Sequence, residues 1–258
     1  MGTEKEIHYY QTYTDDFVFS KNQDFQLPED YLWVNETKGH QLLEKILLKV
    51  AGVFANIYCR VFLHAKVVNK KVLRQCKEEG IFLFGNHTQE VGDVFLPKLL
   101  CGGKRYFAIA SAANLGIPVV GKLLPWLGAL PIPNDFRKMK DFKQAVYKRI
   151  EEKKCIVIYP EAHVWPYCTW IRPFPATSFH YPVESKTPSY AMTTTYQKRK
   201  WGKKPKITIY VDGPFYAEEG LSKKQQREKL RDTVYGVMKD RSQNSNYDYM
   251  IYKPKGRE

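Results

Sequence analysis

Phe82–Pro97 reads FLFGNHTQEVGDVFLP, an apolar run that ends at Gly85-Asn86 and then delivers His87, Glu90 and Asp93 in quick succession. A neutral imidazole accepts a proton near pH 7. It does so best when a carboxylate fixes its tautomer and steadies the imidazolium that forms. The spacing admits His87 as a general base held by Asp93, with Glu90 as the alternative carboxylate. It equally admits a turn in which Asp93 caps a helix beginning at Val94 and His87 is a satisfied turn residue. Gly92, with its backbone freedom, is placed to turn Asp93 back towards His87.

A second apolar run, CIVIYPEA, ends in Glu161. Two strands that both end in ionisable groups point to one sheet edge where a site forms. His163 follows closely, and a lone histidine there is more often structural than catalytic. Between the two runs lies ANLGIPVVGKLLPWLGALPIPNDFRK, apolar, punctuated by proline and glycine, and followed by Arg137. Such a surface beside a basic residue suits a ligand with an apolar tail and an anionic head. The plainer reading is a buried connection.

Elements must position these residues, and their signals alternate. GIFLFGNH, RYFAIAS, CIVIYPEA, SYAMTTTYQ and KITIYVDGPF read as strands. DVFLPKLLCG and DFRKMKDFKQAVYKRIEEKK read as helices, as does SKKQQREKLRDTVYGVMKDR, which Ser222 is suited to cap. The alternation predicts an α/β fold: a mostly parallel central sheet flanked by helices. Ahead of it, Leu43, Ile46, Leu47, Val50, Phe54, Ile57, Tyr58 and Val61 recur at steps of three and four, which predicts an N-terminal amphipathic helix. Its longest uncharged run, Val50 to Cys59, is too short to span a bilayer, which takes about 20 residues. Residues 1–38 show no sustained period and read as an arm lying on the domain.

The chain has 258 residues, 43% of them apolar, and a formal charge of +14. That composition excludes a disordered chain and favours an anionic partner: nucleic acid, a membrane surface or an acidic protein. Lys198, Arg199, Lys200, Lys203, Lys204 and Lys206 form the densest basic cluster, at an expected hairpin turn around Trp201-Gly202. Cys59, Cys76, Cys101, Cys155 and Cys168 lack C-x-x-C spacing and read as reduced thiols, so neither a disulfide frame nor a metal site is expected. MGTEKEIHYYQTYTDDF lacks a basic region followed by an apolar one, so no signal peptide is expected, and Glu6 makes it a poor myristoylation match.

Taken in order, these blocks resemble the glycerolipid acyltransferases of the PlsC, or lysophosphatidate acyltransferase, type over roughly residues 40 to 235. GNHTQEVGD resembles the family's His-x4-Asp block, with one extra residue between His87 and Asp93. GIPVVGKLLPWLGALPIPNDFR resembles the second block, IVIYPEA the Phe-Pro-Glu-Gly block, and KITIYVDGPF the late strand ending in Gly-x-Pro. RPFPATSF sits where the family has a phenylalanine-lysine-x-glycine stretch. The family's Gly-Thr-Arg after the glutamate reads Ala162-His163-Val164 here.

The resemblance implies an O-acyltransferase of the 1-acylglycerol-3-phosphate type. Residues 1–38 would be the arm, 39–64 a membrane-interface helix, and 65–258 the acyltransferase domain with its C-terminal helix. His87 and Asp93 would be catalytic, and Glu161 would be a substrate-binding residue with oxyanion donors near it. Arg137, with Lys122 and Arg172, would bind the acceptor's phosphate. No cofactor would be bound; an acyl-CoA or acyl carrier protein thioester would be cosubstrate and a lysophospholipid, such as lysophosphatidate, the acceptor. An anionic membrane surface is the expected partner, acyl carrier protein a further one, and nucleic acid is not expected. The location implied is bacterial and cytoplasmic, peripheral on the inner face of the cell membrane. The alternative is a non-catalytic basic protein that binds anionic membrane or nucleic acid, supported by the charge, by QKRKWGKK and by tyrosines able to stack bases.

Overall fold

A computed structural model describes residues 5–18 and 24–256. A strand, β1 (Glu6–Tyr10), precedes the long helix α1 (Lys38–Ile57), which runs on into a wider π turn over Tyr58–Phe62. Then follow β2 (Lys66–Val68), β3 (Ile81–Gly85), α2 (Gly92–Cys101), β4 (Tyr106–Ser111), α3 (Val120–Leu127), β5 (Ala129–Ile132), α4 (Met139–Glu151) and β6 (Cys155–Ile158). The chain closes with α5 (His180–Ser185), β7 (Ser189–Gln197), β8 (Lys206–Phe215), α6 (Lys223–Ser242) and β9 (Met250–Pro254).

Seven strands form one sheet in the order β2-β8-β7-β3-β6-β4-β5. Every pairing in it is parallel except that of β7 with β8. β3 is central and buried along its whole length because both faces are covered. Phe82 and Phe84 enter one core layer with Phe142, Val146, Phe179 and Val234. Ile81 and Leu83 enter the other, with Leu96, Leu100, Tyr190 and Met192. The period of two thus feeds both layers. Because β3, β6, β4 and β5 are mutually parallel, the segments that follow them all leave at the same edge of the sheet, where α/β folds place their sites.

Ser222 caps α6 as its position predicts: its side chain accepts from Gln225 N–H, and the Gln225 side chain accepts in return from Ser222 N–H. The short strands β2 and β5 carry weak periodic signals and are fixed by their neighbours. The arm is tied down at both ends of the chain, since β1 pairs in parallel with β9. Phe17 and Tyr10 then pack their rings on Trp165, and Phe17 also on Tyr252.

Helix α1 is mounted with its large apolar side chains outward. At about 100° per residue, His40, Glu44, Leu48, Ala51, Ala55 and Cys59 share one face. That face meets the domain: His40 stacks on Trp126, Glu44 pairs with Arg105, and Ala55 is only 2% exposed. Leu42, Leu43, Ile46, Val50, Val53, Ile57 and Val61 lie opposite and exposed, Val50 at 66%. Lys38, Lys45, Lys49 and Arg60 form an exposed basic flank beside that stripe. Among the described residues no helix is long and apolar enough to cross a membrane.

Candidate active site

Beyond Gly85 the chain leaves the sheet through Asn86, whose buried amide continues the pairing with β7. Its Oδ1 accepts Thr194 N–H at 2.7 Å and its Nδ2 donates to Thr194 O at 3.0 Å. That anchor delivers His87 at the carboxyl edge of β3. The next residues form a turn, and α2 brings Asp93 back beneath the imidazole. His87 Nδ1 and Asp93 Oδ2 are 2.7 Å apart, and the same oxygen accepts Thr88 N–H at 2.9 Å and Gln89 N–H at 3.0 Å. Asp93 therefore organises the whole turn; it is not a conventional helix cap, since the residue before α2, Val91, makes no capping bond.

An ionised Asp93 can only accept, so His87 Nδ1 must carry the proton and Nε2 the lone pair. The imidazole is partly exposed while the carboxylate is buried. The Tyr159 ring stacks on the imidazole at 4.6 Å, and the Tyr159 hydroxyl donates to Asp93 O at 2.6 Å. Burial holds that phenol well above its usual range, so it stays protonated. Gly92 serves by its lack of a side chain rather than by an unusual backbone angle: a Cβ there would come within 2.8 Å of Gln89 Cβ. Glu90 is exposed, and among the described residues no hydrogen bond joins it to His87. The structure gives the carboxylate position to Asp93.

Glu161 and Arg172 take places other than those the resemblance implies. Their side chains are 0% and 1% exposed and form an ion pair at 3.0 Å. Glu161 also accepts the backbone N–H of His87 at 2.9 Å and of Arg172 at 2.8 Å. Those two N–H groups are thereby used up and are not oxyanion donors. Arg172 donates in addition to His163 O and to Tyr13 O of the arm, and lies 4.7 Å from the Trp165 ring. It is enclosed, with no face to offer a phosphate. The pair joins the Glu161 block to the backbone of His87 and so fixes where that residue stands.

His163 belongs to the arm's anchorage: its Nδ1 is 2.5 Å from Asp16 Oδ1, and the neighbouring Trp165 indole donates to Asp15 O. Ala162 has φ +65°, a left-handed conformation that an alanine adopts only at some cost and that glycine takes freely.

Arg137 stands on the same sheet edge, after β5. β5 is three strand positions from β3, or roughly 14 Å at ordinary strand spacing. Its side chain is 89% exposed and pairs with Asp135 at 2.8 Å. Lys122 is exposed on α3. The structure thus brings His87, Asp93, Glu161 and Arg172 into one network and leaves Arg137 and Lys122 outside it.

Three further residues complete the network. Tyr159 backs the imidazole, Asn86 fixes the exit from β3, and Tyr196 places its hydroxyl 2.7 Å from Thr88 Oγ1 while accepting from Gln89 Nε2. Their positions beside strand ends were the only sequence signal. Among the described residues no group of three or more His, Cys, Asp or Glu side chains is assembled to hold a metal ion.

The sequence profile of the Acyltransferase family matches residues 64–195. No curated protein sequence matches the chain significantly. Among solved structures, the crystal structure of the 1-acyl-sn-glycerophosphate (LPA) acyltransferase PlsC from Thermotoga maritima matches with a TM-score of 0.56. The match covers 82% of this chain and 86% of that one at 14% identity, a likeness of fold.

Proposed function

The chain belongs to the Acyltransferase family, and from that premise we propose that it moves a fatty acyl group from a thioester to the free hydroxyl of a lysophospholipid, lysophosphatidate being the favoured acceptor. The observation that carries the reading is the 2.7 Å contact of His87 Nδ1 with Asp93, which leaves Nε2 as a base on a partly exposed ring. His87 Nε2 takes the proton of the acceptor hydroxyl as its oxygen attacks the thioester carbonyl. The C–S bond then breaks, and the imidazolium returns the proton to the departing sulfur. The products are the new ester and a free thiol. Asp93 holds the tautomer and stabilises the cation between the two transfers. No covalent enzyme intermediate is required.

The thioester would be carried by coenzyme A or by acyl carrier protein, and Arg137 and Lys122 are the candidates for the acceptor's phosphate. The outward stripe of α1, flanked by Lys38, Lys45, Lys49 and Arg60, supports a seat in the interface of an anionic membrane. We place the protein on the inner face of a bacterial cell membrane. The test is to incubate the purified protein with lysophosphatidate and each thioester and identify products by mass spectrometry. His87→Ala should abolish product. Acylation that survives this change sinks the reading, and absence of product from every lysophospholipid favours the non-catalytic alternative.

A further inference from the structure

The turn between β7 and β8 carries a second outward-facing basic and aromatic surface. Lys198, Lys200, Lys203 and Lys204 are exposed there, as is Lys206 at the first position of β8, and Trp201 at the tip is 81% exposed. Among the described residues no ion pair includes any of these lysines. The sixth basic residue, Arg199, is spent on structure: its Nε donates across the turn to Pro205 O at 2.9 Å, and its Nη2 donates to Phe62 O at 2.7 Å. Lys198 N–H donates to Asn246 Oδ1 at 3.1 Å, and the Tyr247 hydroxyl donates to Lys203 O at 3.0 Å. The turn is therefore braced from both sides.

Solvated lysines on a hairpin are ordinary. An indole almost wholly in water is less so, as is the attachment of this turn to the π turn that continues α1. The Arg199 bond reaches Phe62, which with Val61 closes the exposed apolar stripe of that helix. Tryptophan is favoured at headgroup level, where one part of its ring is apolar and its N–H is wet. Lysines beside it match anionic headgroups in charge. An acidic protein would need the lysines alone; a flat anionic interface accounts for the lysines, the indole and their continuity with the stripe.

We propose that the β7–β8 turn is a second membrane contact, with Trp201 seated at the headgroup level of an anionic bilayer and the five lysines against its phosphates. The inference rests on the interfacial seat proposed for α1 and extends the contact to a surface far along the chain. The test is partition of the whole protein onto vesicles of phosphatidylcholine with phosphatidylserine, compared with phosphatidylcholine alone. Lys200→Ala, Lys203→Ala and Lys204→Ala together should cut partition onto the anionic vesicles by about 100-fold. Trp201→Ala should cut it by about tenfold, with Trp201→Phe recovering most of the loss. Melting curves should be unchanged, since these side chains stand in solvent.

Unaltered partition in both variants overturns the proposal, as does failure of the parent protein to bind anionic vesicles. Unaltered vesicle binding with lost cross-linking to acyl carrier protein gives the surface to a protein partner and overturns it equally. No substrate is present in the binding measurement, so a protein that binds but transfers no acyl group sinks the proposed reaction and leaves this contact standing.

Discussion

Asp93 Oδ2 lies 2.7 Å from His87 Nδ1 and in the same place accepts the backbone N–H groups of Thr88 and Gln89. One oxygen thus fixes both the ring and the turn that carries it. The other oxygen, Oδ1, is buried with no protein partner among the described residues. In the proposed reaction this carboxylate stands beside the ring where a proton arriving at Nε2 would be stabilised. Asp93→Asn preserves the shape but offers a neutral amide to Nδ1. General base catalysis contributes about 10²–10⁴ in rate, and in the proposed reaction it depends on the tautomer that Asp93 holds. We expect kcat to fall into that range with a similar melting temperature, and Glu90→Gln to leave kcat alone. A tenfold or smaller effect in Asp93→Asn would remove Asp93 from the mechanism.

The Glu161–Arg172 pair predicts a different kind of damage. Breaking a buried pair by removing one charge leaves the other uncompensated, at about 3–5 kcal/mol. Glu161→Gln should therefore lower the denaturation midpoint sharply. Glu161→Gln with Arg172→Met should regain part of the loss, because no orphan charge remains. Should Glu161→Gln instead leave the midpoint untouched and raise only the KM for acceptor, the glutamate is a substrate contact and the positioning role is wrong.

Strand runs such as FLFG and CIVI were legible because a central parallel strand is apolar throughout, and the helices because their periods are long. The pairing of His87 with Asp93 could be anticipated from spacing, but not the choice of Asp93 over Glu90. That choice depends on where α2 starts and on Gln89 occupying the space above Gly92. Arg172 could not be placed from sequence. Its partners are Glu161, His163 O and Tyr13 O, the last contributed by an arm with no periodic signal. Edge strands β1 and β9 were missed for a related reason, since each is defined only by the other.

Ala162 stands where the resemblance puts a glycine, and its backbone angle, φ +65°, is one that glycine suits. An L-residue in that region costs roughly 1 kcal/mol. Ala162→Gly should relieve this, offset in part by the greater freedom glycine brings to the unfolded chain. We expect a denaturation midpoint equal to or slightly above that of the parent, with kcat unchanged. A clear loss of stability would mean that the alanine methyl makes a contact worth more than the strain.

Arg137 is held by Asp135 through Nε at 2.9 Å, so a phosphate must compete with a carboxylate already in place. As a head-group contact it should act on the acceptor alone. Arg137→Ala is expected to raise the acceptor KM by about tenfold, the loss of one charge-assisted interaction, with the thioester KM unaltered. Asp135→Ala should lower the acceptor KM by freeing the guanidinium. Equal effects of Arg137→Ala on both substrates would count against a phosphate role.

Helix α1 offers the sharpest separation of packing from membrane contact, because its two faces carry opposite chemistry. Ala55, Ala51 and Gly52 let the helix approach the domain closely; a Cβ on Gly52 would lie 3.4 Å from Lys98 of α2. Val50 and Val53, on the far side, are among its most exposed residues. Ordinary amphipathic packing would bury the large side chains and expose the small ones, and here the arrangement is reversed. Val50→Asp with Val53→Asp should therefore release the protein from anionic vesicles while leaving its circular dichroism and melting temperature intact. Ala55→Asp should do the opposite, putting a charge into the seam with the domain and lowering the melting temperature before any effect on binding is read. If the valine changes unfold the protein, the stripe is packed in solution, by a partner or by a second copy, and the membrane seat must be sought elsewhere on the surface.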